Sequence, residues 1–370
     1  MPNDDELKKL REAIDRIDVQ LQDLISQRAQ CAQQVAKVKL QERVEAASDS
    51  DANVTFYRPE REAQVLGRVI ERNKGPLADN RVAHIFREIM SACLALEKPT
   101  QVAFFGPKGT YTHEATLKHF GHSAIAQPHS SIAEVFAQVE SEQAHYGVVP
   151  VENSTEGMVS HTLDNFINSP LKICGEVELR IRLQLLFNAK AKAEDIRQIC
   201  GHQQALAQSR GWLTKNWPHV EQNAVSSNGE AARLATSDVH TAAIASAMAA
   251  DLYELQCAAA NIEDRADNTT RFLVIGDQIV HPSGSDKTSI IVATRNKPGA
   301  LFKLLEPFHR DGVMLTRIDT RPSQTETWAY LFFIEFEGHQ DDTLIRSILT
   351  ELEEHSVMIK VLGSYPKAVF

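Results

Sequence analysis

The chain has 370 residues, 43% of them hydrophobic and 24% charged, so it is long enough for two or three domains that each bury a core. A net charge of -10 and a pI near 5.8 argue against a nucleic-acid footprint and require any site for an anionic ligand to be a local cluster of cations. The start, MPNDDELKKLREAID, is charged from its fourth residue and no apolar run reaches a membrane-spanning length, which predicts a cytoplasmic protein without membrane contact; five scattered cysteines without CxxC predict reduced thiols, and fourteen histidines without HExxH or Cys/His ligand spacing predict no metal.

Apolar residues at Leu7, Leu10, Ile14, Ile17, Leu21, Leu24, Cys31, Val35 and Val38 set a heptad rhythm, broken at Arg28. They predict a helix of about 35 residues, roughly 50 Å long, that packs against a long helix of a second subunit. Arg28, Val35 and Lys39 share a face, with the two cations ~16 Å apart along the axis. Arg11 lies ~25 Å from Arg28 and about 100° around, so it serves such a pocket only from a partner chain. A polar connector, Val44 to Phe56, leads to a second helix opened by Pro59, and a third runs from about Asp79 to Lys98, before Pro99.

The strings LREAID, RAQCAQQVAKVK, YRPEREAQVL and IFREIMSACLALE, in this order, resemble the all-helical class of chorismate mutase. The resemblance implies that Arg11 from the partner, Arg28 and Arg61 hold carboxylates, that Lys39 donates to the ether oxygen, and that Glu62 accepts from the ring hydroxyl. Glu97 falls on the second donor to the ether oxygen, which a glutamate can fill only when protonated.

From Gln101 the period changes, and strand and helix patterns alternate. VAFFG breaks into Gly106–Thr112, with a helix from about His113; neither GxGxxG nor GxxxxGK[ST] occurs, so no nicotinamide or ATP motif is present and no cofactor is expected. In Val148–Val159 an apolar run stops at Pro150 and Glu152, Asn153, Ser154, Thr155 and Glu156 follow, which predicts a buried strand feeding polar side chains into a turn; the plainer alternative is a helix N-cap at Ser154 or Thr155.

GPKGTYT, VPVENSTEG, AVSSN, AAIAS and NTTRF, in this order, resemble prephenate dehydratase, whose two α/β lobes enclose a cleft as in type II periplasmic binding proteins. The resemblance implies that Thr270 is the acid for the departing hydroxide, that Glu152, Asn153, Ser154 and Ser226 line the cleft, that Arg271 holds a carboxylate, and that Phe272 packs the ring or orders the loop. His202 to Ser209 departs from the family pattern at Gln203 and Ser209.

A Pro282–Asp286 linker opens a βαββαβ pattern, a ferredoxin-like split unit. With Pro298-Gly299-Ala300-Leu301 and Asp319-Thr320-Arg321-Pro322 it resembles a phenylalanine-binding ACT domain, which implies effector contacts at Gly299, Ala300, Leu301 and Arg321. The expected fold is therefore multidomain α and α/β: a helical mutase bundle (1–99), a two-lobed dehydratase domain (100–282) and an ACT domain (283–370). The expected protein is a bifunctional chorismate mutase and prephenate dehydratase, inhibited by phenylalanine and dimeric through its N-terminal helices and ACT domain. A non-catalytic aromatic-ligand sensor is the rival from another class, and a mutase fused to prephenate dehydrogenase is disfavoured by the absent dinucleotide fingerprint.

Overall fold

The computed structural model describes residues 2–45, 57–294, 297–322 and 330–368. Most of the predicted polar connector, from Ala46 to Phe56, lies outside them. The chain divides into two compact units: a helical one, which includes Arg68–Thr100 and Phe120–Ile125, and a larger one made of Pro59–Gly67, Gln101–His119 and everything from Ala126 on.

The helical unit is built on α1 (Pro2–Glu45), the second half of α2 (Pro59–Arg72) and α3 (Asp79–Ala95). At 44 residues α1 is longer than the heptad rhythm predicts. It packs on α3, whose Ala83, Arg87 and Ser91 recur every four residues on one buried face. The heptad face of α1 stays open within the chain: Leu10 is 57% exposed, Ile14 56% and Leu24 60%. Among the described residues no helix is long and apolar enough to cross a membrane.

The larger unit begins with β1 (Gln101–Phe105), α4 (Tyr111–Phe120), β2 (Ile125–His129), α5 (Ile132–Glu140), β3 (Tyr146–Asn153), β4 (Gly157–Met158), α6 (Ser160–Asn168) and β5 (Lys172–Arg180). A second lobe follows: β6 (Gln184–Asn188), β7 (Gln198–His202), α7 (Gln203–Gln208), α8 (Arg210–Asn216), β8 (Glu221–Val225), α9 (Asn228–Ser237), β9 (Thr241–Ala245), α10 (Ala247–Leu252) and β10 (Leu255–Ala260). The chain then returns to the first lobe as β11 (Thr269–Gly276), giving the strand order β2-β1-β3-β11-β5 with β4 beside β3; the second sheet runs β10-β6-β9-β7-β8. In the second lobe, alanines at 231, 232 and 235 of α9 pack on Ala243 and Ala245, so helix and sheet approach closely.

Two predictions about Val148–Val159 meet different outcomes. The strand continues through Pro150 to Asn153, and Glu152 and Asn153 pair back on Met158 and Gly157. Neither Ser154 nor Thr155 caps a helix, because the chain makes a tight turn into β4 and α6 starts only after Val159.

The last part is β12 (Asp286–Thr294), α11 (Ala300–Arg310), β13 (Leu315–Pro322), β14 (Tyr330–Glu337), α12 (Thr343–His355) and β15 (Met358–Pro366), a βαββαβ unit with strand order β13-β14-β12-β15. The continuous run Ile290-Ile291-Val292 has a simple cause: alternate side chains of β12 face two cores. Ile290 and Val292 meet Leu304, Phe308, Ile345 and Leu352 of the two helices, whereas Ile291 joins Phe136, Phe166 and Leu273 of the first lobe. The predicted Pro282–Asp286 linker is an ordered turn, in which the Asp286 carboxylate accepts from Ser283 N at 2.8 Å and Oγ at 2.6 Å.

Between this sheet and the first lobe lies a buried cluster of charge. Arg271 of β11, 6% exposed, donates through Nε to Glu176 at 2.8 Å and through one terminal nitrogen to Glu335 and the Tyr365 hydroxyl. Lys287 reaches Glu176 at 3.0 Å and Glu335 at 3.6 Å, so two cations face two carboxylates and the cluster is neutral. Burial alone would raise the Glu335 pKa, but the charges of Arg271 and Lys287 outweigh it and bring it down to about 2 from 4.5. A carboxyl depressed in the folded chain adds stability that is full above its unfolded value and fades as pH falls toward the folded one. Thermal unfolding followed from pH 6 downward should therefore lose stability between pH 4.5 and about 2, more steeply than Glu335→Gln does, with Glu335→Gln about 3–5 kcal/mol less stable at pH 7 because it leaves buried cations short of a counter-charge. Equal slopes would remove Glu335 from the account.

Candidate active sites

Of the residues assigned to the mutase, the structure brings together Lys39 of α1 and Glu97, two residues beyond α3. Partial burial lifts the Glu97 carboxyl above its ordinary range, and the charge of Lys39 pulls the other way without cancelling that rise. Arg11 and Arg28 are exposed on α1, while Arg61 (exposed) and Glu62 (half-buried) occupy the first turn of α2. Arg87, only 8% exposed, is a cation that the sequence reading missed; its place on the buried face of α3 was readable from the helical period.

The second site is built where β3 and β11 end. Their register sets Asn153 opposite Thr270 and Glu152 opposite Arg271. Successive residues of a strand point to opposite faces, so Asn153 and Thr270 emerge on one side and Glu152 and Arg271 on the other. A bulge between Arg271 and Phe272 re-aims the strand end just there.

Thr270 Oγ1 accepts a hydrogen bond from Asn153 Nδ2 at 2.8 Å. The Asn153 amide cannot turn over, because its Oδ1 already accepts from Thr155 N at 3.0 Å, Thr155 Oγ1 at 2.6 Å and Glu156 N at 3.2 Å. With its oxygen accepting, the Thr270 hydroxyl keeps its proton free to donate. Asn153 Nδ2 also donates to Asn268 Oδ1 at 3.0 Å, and Asn268, 2% exposed, donates in turn to Gln208 Oε1 at 2.9 Å. Gln208 stands on α7 of the second lobe and reaches Thr155 as well, at 3.1 Å, so one row of amides ties the two lobes together beside the threonine. Ser154 Oγ accepts from Thr269 N at 3.0 Å and steadies the same strand end. Asn268 and Gln208 went unassigned in the sequence, although both lie inside NTTRF and HQQALAQS, the strings singled out there.

Other placements need correction. Arg271 cannot grip a substrate carboxylate in the cleft, since its guanidinium is committed on the opposite face to Glu176, Glu335 and Tyr365. Glu152 shares that face and pairs with Arg317 of β13. Phe272 is 1% exposed and serves as core. Ser226 is exposed, and it is its neighbour Ser227 that caps α9, accepting from Glu230 N at 3.0 Å. Arg321, expected at an effector, holds Asp164 of α6 with two contacts at 3.0 Å and Ser160 Oγ at 2.8 Å. Gly299 has φ +80°, a backbone conformation that favours glycine, with open space where a side chain would stand; Ala300 and Leu301 start α11 beside it, and Leu301 is 41% exposed.

The glycine-rich Gly106–Thr112 loop bridges the lobes. Tyr253 donates to Lys108 O at 3.0 Å, and Gly229 lies so near that a Cβ there would come within 2.6 Å of the same oxygen. His113 accepts from Gly109 N and stacks on Phe104, with ring centroids 4.8 Å apart.

Residues 10–98 match the chorismate mutase type II family and residues 102–279 the prephenate dehydratase family. Over 369 residues the chain is 54% identical to the bifunctional chorismate mutase/prephenate dehydratase of Pseudomonas aeruginosa, covering 100% of both. The chain belongs to that bifunctional family. Among solved structures, a prephenate dehydratase from Arthrobacter aurescens in complex with L-Phe shares 30% identity and superposes with a TM-score of 0.67, covering 72% of this chain and 90% of the other. A quorum-quenching acylase, GqqA, shares 28% identity with a TM-score of 0.68, covering 73% and 99%.

In this family member Asn153→Asp offers a test at nearly constant volume. A carboxylate there can only accept, so Thr270 must turn its proton back toward β3. The dehydratase rate should fall by roughly 10² to 10⁴ while the mutase rate of the same chain is unchanged; equal rates for both activities would remove the amide from the site.

Proposed function

We propose that the chain converts chorismate to prephenate with residues of its N-terminal helices and prephenate to phenylpyruvate in a cleft of its two-lobed domain, under inhibition by phenylalanine. What carries the reading is the end-to-end similarity to enzymes of both names joined in one chain. Following chorismate consumption and phenylpyruvate formation by absorbance tests it; a chain that forms neither product overturns it.

The first reaction needs no nucleophile, only a compressed conformer of a dianion and donors on the breaking C–O bond. Arg11, Arg28 and Arg61 suit the carboxylates, Glu62 the ring hydroxyl, and Lys39 with a protonated Glu97 the ether oxygen. The rise in the Glu97 pKa supports its part as donor. Since the acid form is the active one, mutase activity should be greatest at low pH and decline as pH rises. Glu97→Gln donates at any pH and should flatten that decline, so an unchanged profile would count against the assignment.

The exposed heptad face of α1 supports a dimer through the N-terminal helices, with Arg11 completing the partner's pocket. Mixing Arg11→Ala with Arg28→Ala subunits should restore about a quarter of the wild-type mutase sites after free exchange, because only half of the dimers are mixed and one site in each of those is intact. No recovery despite proven exchange would sink the shared site.

In the second reaction prephenate loses CO2 from its quaternary carbon and hydroxide from the para carbon, and aromatisation drives both. Thr270, its oxygen held by Asn153, donates to the departing hydroxide. With Arg271 turned away, the substrate's carboxylates fall to N–H groups of the Gly106–Thr112 loop and of the α9 start beside it. The domains divide near residues 99 and 282, and the βαββαβ unit is an ACT domain that takes phenylalanine at the uncapped α11 start around Gly299. The dehydratase solved with L-Phe supports that ligand. Small water-soluble substrates for both reactions support work in the cytoplasm.

A further inference from the structure

The Asn153–Thr270 pair is held from behind. On the far face of the same two strands, the residues paired beside them, Glu152 and Arg271, are both gripped by the C-terminal sheet. Arg317 of β13 forms an ion pair with Glu152 and approaches Met158 Sδ, its neighbour in β4, at 3.1 Å. Glu335 of β14 and Tyr365 of β15 hold the Arg271 guanidinium, Tyr365 at 3.1 Å, and Tyr365 donates to Glu335 at 3.0 Å. Each grip is one residue from a group facing the cleft, on a strand pair already bent by a bulge. The grips border a small cavity lined by Val151, Met158, Leu273, Ser289 and Phe333 among others, with Arg271, Arg317 and Glu335 on its wall.

We propose that Arg317, Glu335 and Tyr365 are positioning residues of the dehydratase: by holding Glu152 and Arg271 they set the register of β3 against β11 and so the Asn153–Thr270 hydrogen bond. The C-terminal sheet touches no reacting atom and acts through the two strands. Any ligand that displaces this sheet relative to the first lobe changes the geometry of the proton donor, with no need to enter the cleft. This last step rests on the reading of the C-terminal unit as phenylalanine-responsive; the positioning itself does not.

The test uses the full chain with Arg317→Gln and, separately, Tyr365→Phe, which removes one hydroxyl and spares the buried charges. Each should lower dehydratase kcat by roughly 10- to 100-fold through misplacement, with KM nearly constant and the mutase rate of the same chain unchanged. Arg317→Lys should recover part of the loss. In an Asn153→Asp background, where the decisive hydrogen bond is already reversed, the same substitutions should add little. Unchanged kcat in both variants, or losses that add fully to that of Asn153→Asp, would overturn the proposal. Calorimetry separates the regulatory arm: Tyr365→Phe should bind phenylalanine as the parent chain does yet be inhibited less, and loss of binding together with inhibition would overturn the coupling. A parent chain that binds no phenylalanine would refute the effector reading and leave the kcat comparison to decide the positioning.

Discussion

The architecture of the larger unit turns on a charge placed where water cannot reach it. An arginine in mid-sheet costs several kcal/mol unless it is neutralised and its donors are met, and Arg271 meets both conditions only with help from residues far along the chain. Glu176 comes from the neighbouring strand of its own lobe, but Glu335 and Tyr365 come from the C-terminal sheet. The first lobe is thus electrostatically incomplete by itself, and the sheet that completes it must dock in one register. Lys360 extends the same logic to α6, whose last carbonyls it caps at Phe166, Ile167 and Ser169.

The cleft shows the opposite economy. Thr270 is joined instead to a row of neutral amides whose orientations fix one another, from the turn after β3 through Asn153 and Asn268 to Gln208. A hydroxyl is a poor acid, so on the proposed reading of Thr270 as donor the arrangement would work by placing a proton and by leaving its oxygen no second direction. A fold of this kind does not fix the reaction: a structure that superposes equally well carries the name of an acylase. The distinction has to rest on side chains such as these.

Much of the architecture was legible in the sequence because hydrophobic period reports it directly. The heptads of α1, the switch of period at Gln101 and the βαββαβ order after Asp286 all read correctly, with the helix extending beyond its rhythm at both ends. The position of Thr270 and Asn153 at paired strand ends was also legible, from polar residues that interrupt apolar runs. Arg271 and Glu152 were misread because neighbours in sequence were taken as neighbours in space, whereas a strand sends them to opposite faces. The signal for the buried cluster was present as the first glutamate of CGEVEL and of FFIEFE, each flanked by apolar residues of its strand. What could not be read was which distant cation each one meets, since that depends on the docking of two sheets.

The alanines between α9 and its sheet carry a different consequence. A methyl group loses no rotamer freedom on burial, which favours close approach, but it also removes little apolar surface from water. The second lobe therefore draws less stability from its core than the first, where Phe136, Phe166 and Leu273 interlock with the C-terminal sheet. Where alanines line the contact, local opening is expected at a lower cost than where large side chains interlock.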